Sequence, residues 1–181
     1  MEILEWLQNM EGQILFFIQQ YIRQDIYSWF WKAVTFLGDG GWFWIVLGVA
    51  LLFSKKTRKS GYTALLALII GALITNLLLK NAVARVRPYD TVEGLVPLVK
   101  KLKDYSFPSG HTCASFACAF VYYKLYPDIK GKMAMALAVL IALSRLYVGV
   151  HYPTDVLGGA VVGILSAVLA LKVAAYMEKK K

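Results

Sequence analysis

The chain contains two histidines, His111 and His151, and each stands in a short polar cluster beside a long apolar block. His151 is followed four residues later by Asp155, in the run SRLYVGVHYPTD that begins at Ser144 and includes Arg145. His111 closes the tetrapeptide Pro108-Ser109-Gly110-His111, and a third cluster, KNAVARVRP, supplies Lys80 and Arg87. An imidazole held at one nitrogen by a carboxylate is fixed in tautomer, and its other nitrogen becomes a better nucleophile or base. Phosphoryl transfer needs that nucleophile in line, cations around the equatorial oxygens and an acid for the leaving oxygen. Lys80, Arg87 and Arg145 provide cations, and a guanidinium meets phosphate in a planar, two-pronged way. Nearby cations disfavour protonation of a nucleophilic His151, whereas a substrate dianion beside His111 favours the imidazolium that protonates the leaving group.

Each cluster taken singly has a plainer explanation. Lone cations at helix ends snorkel or meet headgroups. In PSGH, Ser109 could be a simple helix cap with Gly110 as a small packing residue, or the pair could turn free N–H groups and the positive end of a helix towards an anion. Asp155 falls in the first turn of a helix that Pro153 can open, where an acid suits the dipole whatever its neighbours do. The set resists these explanations because neither histidine occurs outside such a cluster. Asp90, Asp104 and Asp155 are scattered, without metal-ligand spacing, and the cations already neutralise an anion, so neither metal nor other cofactor is expected.

These clusters must be positioned by a membrane. The 181 residues leave room for one domain, and a hydrophobic content of 59% exceeds the roughly 45–50% of soluble proteins. The apolar residues form long blocks approaching the ~20 residues of a spanning helix, without the short alternation of a membrane barrel. A net charge of +9 would suit nucleic acid in a soluble protein, but the charges sit in short runs between apolar blocks, which excludes that partner and points to membrane lipids. Cys113 and Cys118 fall inside one block and read as buried small residues. No cleaved leader is evident, since Glu2 and Glu5 stand where a basic region would be.

The expected architecture is therefore all-α, a polytopic transmembrane helix bundle over residues 1–181. Residues 1–24 read as an amphipathic interfacial helix, with Ile3, Leu4, Leu7, Ile14, Leu15 and Ile18 near one face. Tyr27 to Phe53 reads as a span broken at Gly38 to Gly41. Further spans are expected at Tyr62–Leu79, Ser109–Tyr126, Lys132–Val150 and Asp155–Met177, with a short surface helix in GLVPLVKKLKDY. Five spans in alternation put the basic loop SKKTRKS, the turn with Lys130 and Lys132, and the EKKK tail on the cytoplasmic side. The three polar clusters then share the external face.

With these residues in view, the chain resembles the type 2 phosphatidic acid phosphatase superfamily, membrane lipid phosphate phosphatases related to vanadium haloperoxidases and glucose-6-phosphatase. Three motifs match in order: Lys-x6-Arg-Pro at Lys80, Arg87 and Pro88, Pro-Ser-Gly-His at Pro108 to His111, and Ser-Arg-x5-His-x3-Asp at Ser144, Arg145, His151 and Asp155. The resemblance implies that His151 attacks phosphorus to form a phosphohistidine, that Asp155 orients it, and that His111 protonates the leaving group. It implies that Lys80, Arg87, Ser109, Gly110 and Arg145 hold the phosphate. It also implies about six spans, one more than the sequence pattern supplies.

The expected activity is hydrolysis of a terminal phosphate from a lipid phosphate or diphosphate at the outer face of the cell membrane. Phosphatidic acid, phosphatidylglycerol phosphate and undecaprenyl diphosphate all present such a group, and Lys100, Lys101 and Lys103 could meet a second phosphate. A phosphotransferase would use the same site with another acceptor. A non-catalytic transporter or lipid-binding protein would line a path across the bilayer with charge, which the span interiors lack.

Overall fold

The computed structural model describes residues 2–180, with side chains from Glu5 onward. Ile3 and Leu4, expected on the apolar face of the first helix, and Lys181 of the basic tail lie outside the described side chains. Among the described residues every regular element is helical. In order it forms α1 (Glu2–Phe17), extended by a π-helical turn Ile18–Ile22, α2 (Asp25–Phe36), a 3-10 turn Asp39–Gly41, and α3 (Trp42–Leu52). α4 (Arg58–Ala72) runs through a π-helical stretch Leu73–Leu79 into the short α5 (Lys80–Val83), and α6 (Pro88–Thr91) follows. The remaining helices are α7 (Gly110–Leu125), α8 (Ile129–Tyr147) and α9 (Pro153–Lys179).

α7 lies at the centre, packed on α4, α8 and α9. Small residues let α9 approach it closely: a Cβ at Gly159 would stand 2.6 Å from the Ser109 carbonyl oxygen, and one at Gly163 2.5 Å from that of Cys113. α3 joins through Trp44, fully buried, whose indole N–H donates to Ser115 Oγ at 3.0 Å. Outward, Leu157, Val161, Leu165 and Leu169 line one exposed stripe of α9 at helical spacing, a face that lipid solvates.

The stretch Arg58–Thr91 and the helix α9 are each long and apolar enough to cross a bilayer, and α2 with α3, bent by 43° at the Gly38–Gly41 break, is together long and apolar enough for a broken span or a re-entrant loop. The other two expected spans, α7 and α8, are shorter or more charged than these. α7 has 16 residues, short of the ~20 of a full crossing, and it is largely enclosed by its neighbours. α8 has 19 residues but carries Lys130, Lys132 and Arg145.

Two local expectations also change. Gly94 to Tyr105 is irregular, not helical, because Pro97 lacks an N–H and the backbone is bound elsewhere, with Leu98 N–H donating to Val148 O at 3.0 Å. α4 begins within the basic run, at Arg58, so SKKTRKS is only partly a loop. On α1, the buried face carries Glu11, Gly12 and Leu15, while Ile14 turns outward with Trp6, Met10, Phe17 and Tyr21.

The two ends of the bundle differ in chemistry. At one, Lys59 pairs with Glu178 at 2.6 Å and Ser60 Oγ meets the Tyr126 hydroxyl at 2.9 Å, so the basic loop, the α7–α8 turn and the tail gather together. The three polar clusters lie at the opposite helix ends.

Candidate active site

His151 sits in the turn between α8 and α9, 1% exposed. Pro153 opens α9 as its first residue, which places Asp155 in the first turn and under the His151 ring. Asp155 Oδ2 is 3.5 Å from His151 Nδ1, and it also accepts from Tyr152 N at 2.8 Å and from the Ser106 hydroxyl. His151 Nε2 is left facing Arg87 Nη1, 3.4 Å away. Burial pulls the His151 imidazole down to about 3, with the charges of Arg145 and Arg87 adding to burial and overcoming Asp155. Its ring is neutral at neutral pH, as a nitrogen nucleophile must be.

The other oxygen of Asp155 is held by Arg85, a residue of the KNAVARVRP cluster that its spacing does not single out. Arg85 Nη1 donates to Asp155 Oδ1 at 2.8 Å and to Thr154 Oγ1 at 2.7 Å, while its Nη2 pairs with Glu11 Oε2 at 2.6 Å. Glu11, buried on α1, also accepts from Thr154 N at 2.6 Å and so satisfies a free N–H at the start of α9. Burial opposes the charge of Arg85, but the two carboxylates outweigh it and its pKa is raised.

Lys80 and Arg87 converge on Asp104. Arg87 Nη2 is 2.8 Å from Asp104 Oδ1, Lys80 Nζ pairs with Asp104 Oδ2, and further Arg87 N–H groups reach the backbone carbonyls of Asp104 and Val150, each at 2.8 Å. Burial works against ionisation of Asp104, but the ammonium and guanidinium prevail and hold its carboxyl at about 2.

His111 occupies the first turn of α7, with Nε2 2.7 Å from Asp39 Oδ1. The broken span makes this contact possible. Gly40 and Gly41 have φ of +58° and +71°, a left-handed conformation that suits glycine, and they bring Asp39 back over α7. Gly38 leaves room for the ring, since a Cβ there would lie 2.6 Å from His111 Cδ2.

A cavity of about 440 Å³ joins these groups, lined by Lys80, Arg87, Asp104, Gly110, His111 and His151, and it continues past Thr75 and Asn76 to apolar walls at Ile45, Leu68 and Ile69. Charged groups thus crowd one end and hydrocarbon lines the other. A family model described as the PAP2 superfamily matches residues 61–179, which contain all three sequence clusters. The chain belongs to the PAP2 superfamily.

Known PAP2 proteins align along most of it. It is 34% identical over 130 residues to the undecaprenyl-diphosphatase of Sulfolobus acidocaldarius, covering 72% of this chain and 63% of that one, so it spans less than two thirds of that relative. It is 32% identical over 158 residues to phosphatidylglycerophosphatase B of Bacillus subtilis, covering 80% and 73% of the two chains. The crystal structure of a transmembrane PAP2-type phosphatidylglycerolphosphate phosphatase from Bacillus subtilis superposes with a TM-score of 0.73 at 33% identity, over 96% of this chain and 87% of that one. This chain is likewise an integral membrane protein.

Of the residues singled out in the sequence, Lys80, Arg87, Gly110, His111 and His151 line the PAP2 cavity, and Asp155 lies directly behind His151. Ser109 and Arg145 do not line it. The Ser109 hydroxyl is the N-cap of α7, 3.0 Å from Thr112 Oγ1, and Pro108 precedes that cap instead of opening the helix. Arg145 is 2% exposed, donates to Thr35 Oγ1 at 2.5 Å, leaves its Nε unpartnered, and lines an adjoining cavity of about 270 Å³ together with Asp39. Sequence reasoning missed Glu11, Asp39, Arg85, Asp104 and Ser106. Arg85 and Asp39 had a faint signal, as charges within a cluster and at a glycine-rich break, whereas Glu11, Asp104 and Ser106 had none.

Proposed function

We propose that the protein is a lipid phosphate phosphatase that removes a terminal phosphate through a phosphohistidine on His151. The observation that carries this reading is the orientation of His151, with Nδ1 on Asp155 and Nε2 towards a cavity that also holds His111, Lys80 and Arg87. In the first step Nε2 attacks phosphorus, the bond to the lipid oxygen breaks, and that oxygen takes a proton from the His111 imidazolium. In the second, water attacks the phosphohistidine, its proton goes to His111, and inorganic phosphate leaves as His151 is released. Lys80 and Arg87 stabilise the charge on the equatorial oxygens, Arg145 adds its charge from the adjoining cavity, and the α7 N-terminus at Gly110 adds its dipole. With Lys80 and Arg87 facing the phosphate, the proposed reaction calls on no metal.

The relatives' substrates support a phospholipid phosphate or a polyprenyl diphosphate, such as phosphatidic acid, phosphatidylglycerol phosphate or undecaprenyl diphosphate. The apolar walls at Ile45, Leu68 and Ile69 suit the lipid chain next to the reacting phosphate. Clustering of basic segments at the far end of the bundle supports a plasma or inner membrane location with the site outside the cytoplasm. Contact of Glu11 with Arg85 and Thr154 supports residues 1–181 acting as one unit.

Phosphate release by the purified protein from these three lipids, in detergent with chelator, tests the reading. Wild type releases phosphate from at least one, unaffected by chelator, and His151→Ala releases none. Equal rates in the two proteins would overturn it.

A further inference from the structure

The phosphatase mechanism leaves one feature of the chain without a role, the Gly38-Asp39-Gly40-Gly41 break, which lies outside the 61–179 family segment. Interrupting a span costs backbone hydrogen bonds that lipid cannot replace, so such breaks persist where they line a cavity. Here Gly38, Gly40 and Gly41 all line the catalytic cavity, and the break delivers a single side chain to a catalytic group, the Asp39 carboxylate to His111 Nε2 at 2.7 Å. Two of its glycines adopt the left-handed conformation that brings the carboxylate there, and the third lets the ring pack beneath it.

We propose that Asp39 is the positioning residue of His111, forming a second carboxylate–imidazole pair that orients the ring and sustains its protonated form for delivery to the lipid oxygen. The charges facing His111 make the need plain. Burial acts against an imidazolium there, as do Arg145 and Lys80, and Asp39 is the carboxylate, among the described residues, that contacts the ring. An imidazolium has two N–H groups. Asp39 engages Nε2–H, and Nδ1–H, with no hydrogen bond among the described residues, is the proton given as the P–O bond breaks. The neutral ring then accepts a proton from the attacking water, and the same carboxylate stabilises the cation that forms. The arrangement mirrors the His151–Asp155 pair.

This inference rests on the phosphatase reading, and the test separates the two. Dioctanoyl phosphatidic acid has an alkoxide leaving group that needs a proton, whereas p-nitrophenyl phosphate has one that does not. Because kcat/KM reports the step that forms the phosphohistidine, slow release of phosphate from His151 does not obscure the comparison. Wild type turning over both substrates, with His151→Ala inactive on both, sustains the underlying reading by itself. In Asp39→Asn, kcat/KM is expected to fall by about 10- to 100-fold on the lipid, part of the full worth of a general acid, and to stay within about 3-fold of wild type on p-nitrophenyl phosphate. Asp39→Glu, which keeps the carboxylate, is expected to recover part of the loss on the lipid alone. Parallel losses on both substrates would make Asp39 a structural residue, and unchanged kcat/KM on the lipid would make the contact incidental; either overturns the proposal.

Discussion

Arg87 holds the carboxylate of Asp104 at 2.8 Å while Lys80 grips its other oxygen, so the two cations proposed for the substrate phosphate already carry an internal anion. The Asp104 carboxyl, held at about 2, is ionised throughout the neutral range, and acidification does not release the cations until pH approaches that value. A phosphate must displace or share this carboxylate. Asp104→Asn is expected to tighten competitive inhibition by inorganic phosphate by about 3- to 10-fold, on the order of 1 kcal/mol. An inhibition constant that is unchanged or weaker would show that Asp104 helps assemble the pocket.

The neutral state of His151 makes a second prediction. Its folded pKa of about 3 lies below the ordinary 6.5, so between those values the unfolded chain binds a proton that the folded protein does not. Stability attributable to this residue is present in full above about pH 6.5 and falls as pH drops through that window. Thermal unfolding in detergent from pH 7.5 to 4.5 should show a smaller decline for His151→Gln than for wild type. His151 should also react with diethyl pyrocarbonate as a neutral ring at pH 5.5, and protection that appears at that pH and lifts at pH 7.5 would contradict the assignment.

Glu11 ties α1, through Arg85, to Asp155 behind the proposed nucleophile. Glu11→Gln leaves Arg85 with one carboxylate instead of two, in a site where Glu11 is 3% exposed. Breaking such a pair costs about 3 kcal/mol, read as a lower Tm in detergent, and loosens Asp155 through Arg85. Arg85→Lys should lose activity as well, because an ammonium cannot span Asp155, Thr154 and Glu11 together. Full activity in both variants would make the network decorative.

Gly38→Ala places a Cβ 2.6 Å from His111 Cδ2 and 2.9 Å from Ile141 Cγ2. The ring must shift, and a displacement approaching 1 Å at a catalytic group costs on the order of 100-fold in rate. Turnover of the lipid substrate checks this, with p-nitrophenyl phosphate activity as the control for folding.

These predictions draw unequally on the sequence. The three clusters were legible because each couples reactive side chains at close spacing to a helix end, and helix ends follow from apolar periodicity. The partners were not, because Glu11, Asp39 and Asp104 meet their cations or imidazole only through packing between elements far apart in sequence. Asp104 reads as one scattered acid within GLVPLVKKLKDY, whose apolar–basic alternation suggests a surface helix although the segment is irregular around Pro97. Arg145 and Ser109 show the reverse limit, since a motif position fixes residue type and neighbourhood but not whether the side chain reaches the cavity.

The central claim is that His151 Nε2 attacks phosphorus, and trapping the covalent intermediate tests it most directly. Protein mixed with phosphatidic acid radiolabelled in its phosphate, quenched in base and digested should carry an acid-labile label on the peptide containing His151, absent from His151→Ala. Label on a different residue, or phosphate release by His151→Ala at the wild-type rate, would contradict the account.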